Sequence, residues 1–530
     1  MTSPVPEPQT VWSILSESAR THTDREAVVD TSERLTYRQL AAAAHRAGRA
    51  MIAAGIEHGD RIALWAPNSV RWTVVVLGAH SIGAVVVPIN TRARGHEAAE
   101  ILRRTRVRQL FLDNGFLDTD YTGLLRAAAG PPAADAPFRD LPDLRGVVDL
   151  HRDPDAGWDG FVASGDDPRA LDLRRLDRHR AAAAGDVAYV MSTSGSTGTP
   201  KGVVLRHGQL VRVYRDLGER LGIDGSDRLL GVNPLSHSFG LNAGLLAALA
   251  VGGCYVAVDV FDAAAVRGLV EAERITVVSG PPTLFTDLIG DGTAPPFDPA
   301  PRLAVTGAAT VTAELLDRIR MFLGIGSVAT GYGLTEAAGT VTAQRPHPGG
   351  PDGLAAPALP GIEMRTVDGS GRDVGPGRAG EVLVRGFNVM SGYLDDADAT
   401  ARVLDADGWL HTGDIGVLDD DGALRVVDRI GEMFVVGGFN VYPAEIESVL
   451  AAHPAVGEVA VLGVPDERLG RRPVAYVVPI APVDGCTLRD HCRELLSGYK
   501  VPTAVILLDE MPRTPSGKAS RPALRALGGR

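Results

Sequence analysis

Ser192–Thr193–Ser194–Gly195–Ser196–Thr197–Gly198–Thr199–Pro200–Lys201–Gly202 is the stretch of this chain best suited to chemistry. Glycines let backbone N–H groups crowd around an anion, hydroxyls donate to its oxygens, and one lysine adds a point charge. Such a loop would cradle a polyphosphate. It is not a Walker loop, because Pro200 precedes the lysine and Gly202 follows it. A flexible Gly/Ser linker is the plain alternative, and the stiff proline and lone lysine argue against it. Of 53 basic residues only Lys201, Lys500 and Lys518 are lysines, and the other 50 are arginines. A retained lysine is thus a candidate for work that needs a compact, mobile ammonium rather than a planar fork.

Further along, Asn233–Pro–Leu–Ser–His237–Ser–Phe239–Gly240 follows a strand-like run, where His237 could orient a ligand or simply be satisfied beside a turn. Gly331–Tyr332–Gly333–Leu334–Thr335–Glu336 holds an aromatic that can stack on a purine, then a hydroxyl and a carboxylate suited to Mg²⁺ on phosphates. Gly324–Ile–Gly326–Ser–Val–Ala329 matches a dinucleotide pattern, but no helix start follows it, so the match is set aside. In His411–Thr–Gly–Asp414 and Asp428–Arg429, a carboxylate can accept ribose hydroxyls and an arginine can reach ribose or phosphate. Gly437–Gly438–Phe439–Asn–Val–Tyr–Pro443 opens a last unit, and Pro512–Arg–Thr–Pro–Ser–Gly–Lys518 is a stiffened loop carrying the third lysine.

Strands at Arg61–Trp65, Ala84–Val87, Gln109–Leu112, Arg228–Val232, Gly253–Val258, Thr276–Ser279 and Arg302–Thr306 are expected to position these groups, alternating with helices such as Gln39–Ala53 and Leu241–Ala250. That alternation implies an α/β fold with parallel sheets covered on both faces. Residues 128–185, rich in Ala, Pro, Asp and Arg, read as surface loop. From Gly361 to Val427 short strands and Asp-Gly or Pro-Gly turns predict a small β-rich subdomain, and about a hundred α+β residues follow.

At 530 residues the chain exceeds what one core holds. A net charge of −12 argues against nucleic acid as a partner. Cys254, Cys486 and Cys492 form neither a metal-ligand nor a disulfide pattern, which suits a reducing cytoplasm. The run from Leu241 to Val258 is broken by three glycines, so no membrane span is expected. The first ten residues lack a basic segment followed by an apolar one, so no secretory signal is expected either.

Five stretches, S-T-S-G-S-T-G-T-P-K-G, G-Y-G-L-T-E, H-T-G-D, G-G-F-N-V-Y-P-A-E-I-E and P-R-T-P-S-G-K, stand in an order that resembles the acyl-adenylate-forming superfamily across essentially the whole chain. That group includes acyl-CoA synthetases, peptide-synthetase adenylation domains and beetle luciferases. The resemblance implies an N-terminal domain over 1–427, of two αβαβα subdomains plus a small β-barrel. A hinge at 428–432 and a mobile α+β C-terminal domain over 433–530 would follow. A carboxylate attacks the α-phosphorus of ATP, releasing pyrophosphate, and the acyl-AMP then meets a thiol. By motif match Thr193, Ser194, Gly195, Ser196, Thr197, Gly198 and Lys201 would hold the β- and γ-phosphates. Glu336, with Thr335, would hold Mg²⁺. Gly307, Ala308, Ala309, Gly331, Tyr332 and Gly333 would flank adenine, Asp414 and Arg429 would serve the ribose, and Lys518 would bridge carboxylate and α-phosphate. After rotation Gly437, Gly438 and Phe439 would line a tunnel for coenzyme A. Gly431 stands where Asp or Lys is usual at the hinge, and Asp428 where glycine is common.

No acidic residue lies between Pro234 and Asp259, so an α-ammonium substrate would find no counter-charge there. His237, Phe239, Gly240, Ala243, Gly244, Ala308 and Gly339 fall where the family builds its acyl pocket. Small walls suggest a bulky or long apolar acid, whether fatty, alicyclic, steroid-derived or terpenoid, although small residues also serve to pack helices closely. Twelve residues follow Lys518, so a free thiol acceptor, coenzyme A, is expected over a fused carrier. The expectation is a cytoplasmic AMP-forming acyl-CoA ligase using ATP, Mg²⁺ and CoA, with room for a homodimer. The alternatives are an acyl-AMP ligase loading a separate carrier protein and a nucleotide-binding homologue that has lost catalysis.

Overall fold

The computed structural model describes residues 9–133, 136–151, 157–166, 182–194, 200–307, 311, 313–346, 355–429, 434–512 and 521–528. The fold is mixed α/β, with a large N-terminal and a smaller C-terminal domain. One six-stranded sheet orders Gly146–Asp149, Gln109–Leu112, Arg61–Trp65, Val85–Pro88, Val187–Ser194 and Pro200–Arg206. It is parallel up to the final hairpin, in which Thr193 pairs with Lys201. An eight-stranded sheet is parallel through Glu26–Val29, Cys254–Ala257, Arg228–Gly231, Val277–Gly280, Leu303–Thr306 and Ser327–Tyr332, with short antiparallel strands at both edges. Strands such as Val85–Pro88 and Val277–Gly280 are buried along their length, as layers covered on both faces require.

One core spans both sheets, and the helix Val70–Ser81 lies within it. Ten of that helix's twelve residues are buried, and Ser69 caps it by accepting the Trp72 N–H at 3.0 Å. Gly48 and Gly78 let that helix meet Tyr37–Ala53 at close range, since a Cβ on Gly48 would lie 2.9 Å from the Gly78 carbonyl oxygen.

Residues read from sequence as loop contribute real structure. Gly146–Asp149 adds an edge strand, and Gly157–Ser164 buries Trp158. The strand has only two apolar residues among four, too short a pattern to register as alternation. The expected helix over Leu241–Ala250 starts as a wide π-turn at Phe239–Leu246 before continuing as Ala247–Val251. The set-aside glycine pattern leads into the strand Ser327–Tyr332 and not into a helix.

Ile362–Val367, Ala379–Gly386, Leu410–Leu418 and Leu424–Arg429 form a four-stranded antiparallel sheet, where the small barrel was expected. A five-stranded sheet follows from Phe434 onward, with Pro443–Ala451 and Gly485–Leu495 packed on one core and Leu524 of Arg521–Gly528 on a second. Residues 430–432 of the expected hinge lie outside the described residues. Among the described residues no helix is long and apolar enough to cross a membrane.

Candidate active site

The carboxyl ends of the parallel strands Val277–Gly280, Leu303–Thr306 and Ser327–Tyr332 open on one cavity of about 1080 Å³, as open α/β sheets place their ligands. Glycine is required at this rim. A Cβ on Gly307 would lie 2.7 Å from the Gly331 carbonyl oxygen, and one on Gly331 would lie 2.7 Å from that of Thr342. Tyr332 follows, its amide donating to Thr342 Oγ1 at 3.1 Å and its phenol donating to Asp414 Oδ2 at 2.6 Å. Asp414 is buried, and its own amide donates to Thr412 Oγ1 at 3.1 Å. One short hydrogen bond therefore ties the rim of the large sheet to the four-stranded sheet, and both residues face the cavity.

Glu336 stands half-buried on the same wall beside buried Thr335. Its Oε1 accepts the Tyr393 phenol at 2.9 Å, and Lys201 Nζ lies 4.9 Å from the centroid of the Tyr393 ring. A lysine and a carboxylate 135 positions apart thus share one aromatic. Tyr393 reaches them because Ser391–Leu394 continues the sheet: Val204 N donates to Gly392 O at 3.0 Å and Leu394 N to Gly202 O at 2.7 Å. Gly202 carries no side chain where a Cβ would meet Val190 Cγ1 at 2.7 Å. Neither Tyr393 nor its role was evident in sequence, since Met-Ser-Gly-Tyr has no spacing that points to a site.

His237 also lines the cavity. Burial holds its imidazole down at about 4, and its Nδ1 accepts the Phe239 N–H at 3.2 Å, so the ring is neutral with its proton on Nε2. The loop carrying it is clamped by a second residue missed in sequence. Asn68 Nδ2 donates to Gly231 O at 2.8 Å and Asn233 O at 2.9 Å, and its Oδ1 accepts the Leu235 N–H at 2.8 Å. Phe239, Ala243 and Gly339 are on the cavity wall. Gly339 has φ +89°, and a Cβ there would sit 2.8 Å from Tyr214 Oη. Gly240 and Gly244 are not lining residues; a Cβ on Gly240 would strike Pro234 O at 2.3 Å, and one on Gly244 would touch Tyr255 at 3.3 Å. Their small size is accounted for by packing.

The far side of the cavity comes from the C-terminal domain. Gly438 has φ +88° and stands where a Cβ would be 3.0 Å from Pro281 Cγ; Gly437 has φ +55°. Phe439 stacks on Tyr499 with centroids 4.6 Å apart, and Arg92 lies 5.5 Å over the Phe439 ring. Gly333 lines the cavity, and Thr193 and the Ser194 backbone end the strand that enters the glycine-rich loop. Gly195, Ser196, Thr197, Gly198, Ala308, Ala309, Lys518 and the side chains of Ser194 and Arg429 lie outside the described residues. Among the described residues no three His, Cys, Asp or Glu side chains converge as a metal site. Glu336 with Thr335 offers what Mg²⁺ takes when phosphates supply the remaining ligands, one carboxylate on an open cavity wall.

The model of the AMP-binding enzyme family matches residues 15–394, and that of the AMP-binding enzyme C-terminal domain matches 445–518. A 3-[(3aS,4S,7aS)-7a-methyl-1,5-dioxo-octahydro-1H-inden-4-yl]propanoyl:CoA ligase of Mycobacterium tuberculosis is 42% identical, covering 98% of this chain and 99% of the relative. The o-succinylbenzoate CoA synthetase of Bacillus subtilis, solved with the product analogue OSB-NCoA, superposes with a TM-score of 0.83 at 28% identity over 98% of both chains. ATP-bound MatB of Rhodopseudomonas palustris superposes at 0.69 and 27% identity over the same shares. The chain belongs to the AMP-binding enzyme family, in its acyl-CoA ligase branch.

Proposed function

We propose that this protein activates a fused-ring alicyclic carboxylic acid as its acyl-AMP and passes the acyl group to coenzyme A. The observation that carries the reading is the cavity walled by Tyr332, Asp414 and Glu336, flanked by His237, Phe239, Ala243 and Gly339 and bounded by Gly438, with Glu336 joined through Tyr393 to Lys201. At about 1080 Å³ it stands at the upper end of small-molecule sites, and Ala243 and Gly339 leave room beside apolar Leu217, Leu221 and Phe239, which suits a bulky apolar acid. The named substrate of the 42% identical relative, a bicyclic diketo propanoate, is the acid class that this supports.

In this reading the acid's carboxylate oxygen attacks the α-phosphorus, the bond to the β-phosphate bridge breaks, and pyrophosphate leaves. Negative charge gathers on phosphoryl oxygens, so cations and donors carry the step. Thr193 to Lys201 grip the leaving pyrophosphate. Glu336 and Thr335 hold Mg²⁺, whose positive charge offsets the phosphates. Asp414, oriented by Tyr332, accepts the ribose hydroxyls, with Arg429 beside it, while Gly307 to Ala309 and Gly331 to Gly333 flank the adenine. His237 offers its Nε2 proton to the acid, and Lys518 bridges carboxylate and α-phosphate. Thiol sulfur then attacks the acyl carbon and AMP departs. The hinge at 428–432, with the freedom of Gly431, exchanges Lys518 for Gly437–Phe439 between the two steps. The better superposition on the structure carrying a CoA-type product analogue than on the ATP-bound one, at equal coverage, supports reading the present arrangement as the thioester-forming one.

The test is pyrophosphate release from ATP across a panel of acids: bicyclic diketo and steroid-derived propanoates, straight-chain C6–C16 fatty acids, and aromatic acrylates. The reading expects the alicyclic propanoates to have the highest kcat/KM. A preference for straight chains or aromatics would overturn the substrate class, and release with none of the panel would overturn the reading.

A further inference from the structure

Lys500, the one lysine without a role so far, is buried, with its side chain 8% exposed. Its Nζ lies 2.7 Å from Glu445 Oε1, in the helix Pro443–Ala451 of its own domain, and 2.6 Å from Glu97 Oε1, in the helix Gly95–Arg104 of the large domain. Ser497 Oγ donates to the other Glu97 oxygen at 2.8 Å. The carboxylates are as hidden as the lysine, with side chains 9% and 7% exposed. Burial acts to lower the Lys500 pKa, and the charges of Glu97 and Glu445 beside it outweigh that and carry it above the ordinary lysine value. The same interface carries the Arg92–Phe439–Tyr499 stack, and Phe439 is next to the cavity-lining Gly438.

We propose that Glu97 is a positioning residue for thioester formation: by engaging Lys500 and Ser497 across the domain boundary it holds Gly438 at the cavity. The inference rests on the two-step reading above. Its design is reversible, because each partner keeps a second contact when the domains part. Lys500 retains Glu445 within its own domain, and Glu97 retains the Arg94 N–H, which donates to its Oε2 at 2.9 Å and caps its helix. Breaking the cross-domain pair therefore strands no lone charge on the lysine, the condition that makes most buried pairs costly to open.

The experiment separates the half-reactions in wild type, Glu97→Gln and Ser497→Ala. Acid-dependent ATP–pyrophosphate exchange reads the first step, and thioester formation from supplied acyl-AMP and CoA reads the second. Glu97→Gln keeps the helix cap and is expected to leave exchange within twofold of wild type while thioester formation falls tenfold or more. Ser497→Ala, which removes one neutral donor, is expected to lower only the second step, by three- to fivefold, and carries the test should Glu97→Gln not fold. Equal loss in both steps, or no loss in the second, overturns the proposal. A wild type with no exchange for any acid overturns the functional reading beneath it, a result distinct from either.

Discussion

Tyr393 joins two groups 135 positions apart in sequence, Lys201 and the cavity-wall carboxylate of Glu336. Replacing it with Phe keeps the ring under Lys201 and removes the donor to Glu336. A hydrogen bond to a charged group contributes about 1.5–3 kcal/mol, so Tyr393→Phe is expected to lower kcat/KM for ATP by at least tenfold with the KM for the acid unchanged, measured by initial rates of pyrophosphate release. Asp414→Asn loses the charge that orients the Tyr332 phenol and, on the proposed reading, the ribose; it is expected to raise the KM for ATP about tenfold or more. The buried histidines give a pH signature. His207 and His237 are both held near 4 by burial, against an ordinary value of 6.5, and burial also holds His80 well down. The unfolded chain thus binds protons that the fold refuses. The histidines' contribution to stability is complete above pH 6.5 and is lost as the pH drops from there toward 4, by about 3 kcal/mol for His207 alone. Denaturant titrations at pH 7.5 and 5 would read that fall, and His207→Gln would reduce its size.

At the scale of elements, the strands and the loops at their carboxyl ends were legible because their chemistry is local. Val-rich runs, Gly-Tyr-Gly and His-Thr-Gly-Asp announce themselves within a few residues. Contacts made by tertiary closure were not. Asn68 satisfies three backbone groups 163 to 167 positions away, and no short-range pattern can encode that. Gly240 and Gly244 fall where the family builds its acyl pocket, and the backbone of Pro234 and the ring of Tyr255 account for their lack of side chains. Gly339 and Gly438 differ in kind, since both combine positive φ with a close neighbour. Gly339→Ala is expected to cost about 1–3 kcal/mol, read as a lower denaturant midpoint. Gly438→Val would meet Pro281 and prevent the C-terminal domain from seating. Acyl-AMP formation should persist while thioester formation from supplied acyl-AMP is lost; parallel loss of both would mean a general folding defect.

For the molecule as a whole, a cavity shared between a rigid sheet rim and a small second domain explains why one site can serve two reactions. On the proposed reading the rim supplies fixed groups for the nucleotide, and the second domain decides which reaction they see. Two of the three lysines stood out in sequence because glycine-rich contexts marked them. Lys500 did not, because its partner Glu97 lies 403 residues away. The most direct measurement is product stoichiometry with the bicyclic diketo propanoate, ATP and CoA, followed by chromatography of nucleotides and thioesters. The account predicts one AMP, one pyrophosphate and one acyl-CoA per ATP consumed, with no thioester when ATP is omitted. ADP as the nucleotide product, or AMP and pyrophosphate with acyl-AMP accumulating in the presence of CoA, would contradict it.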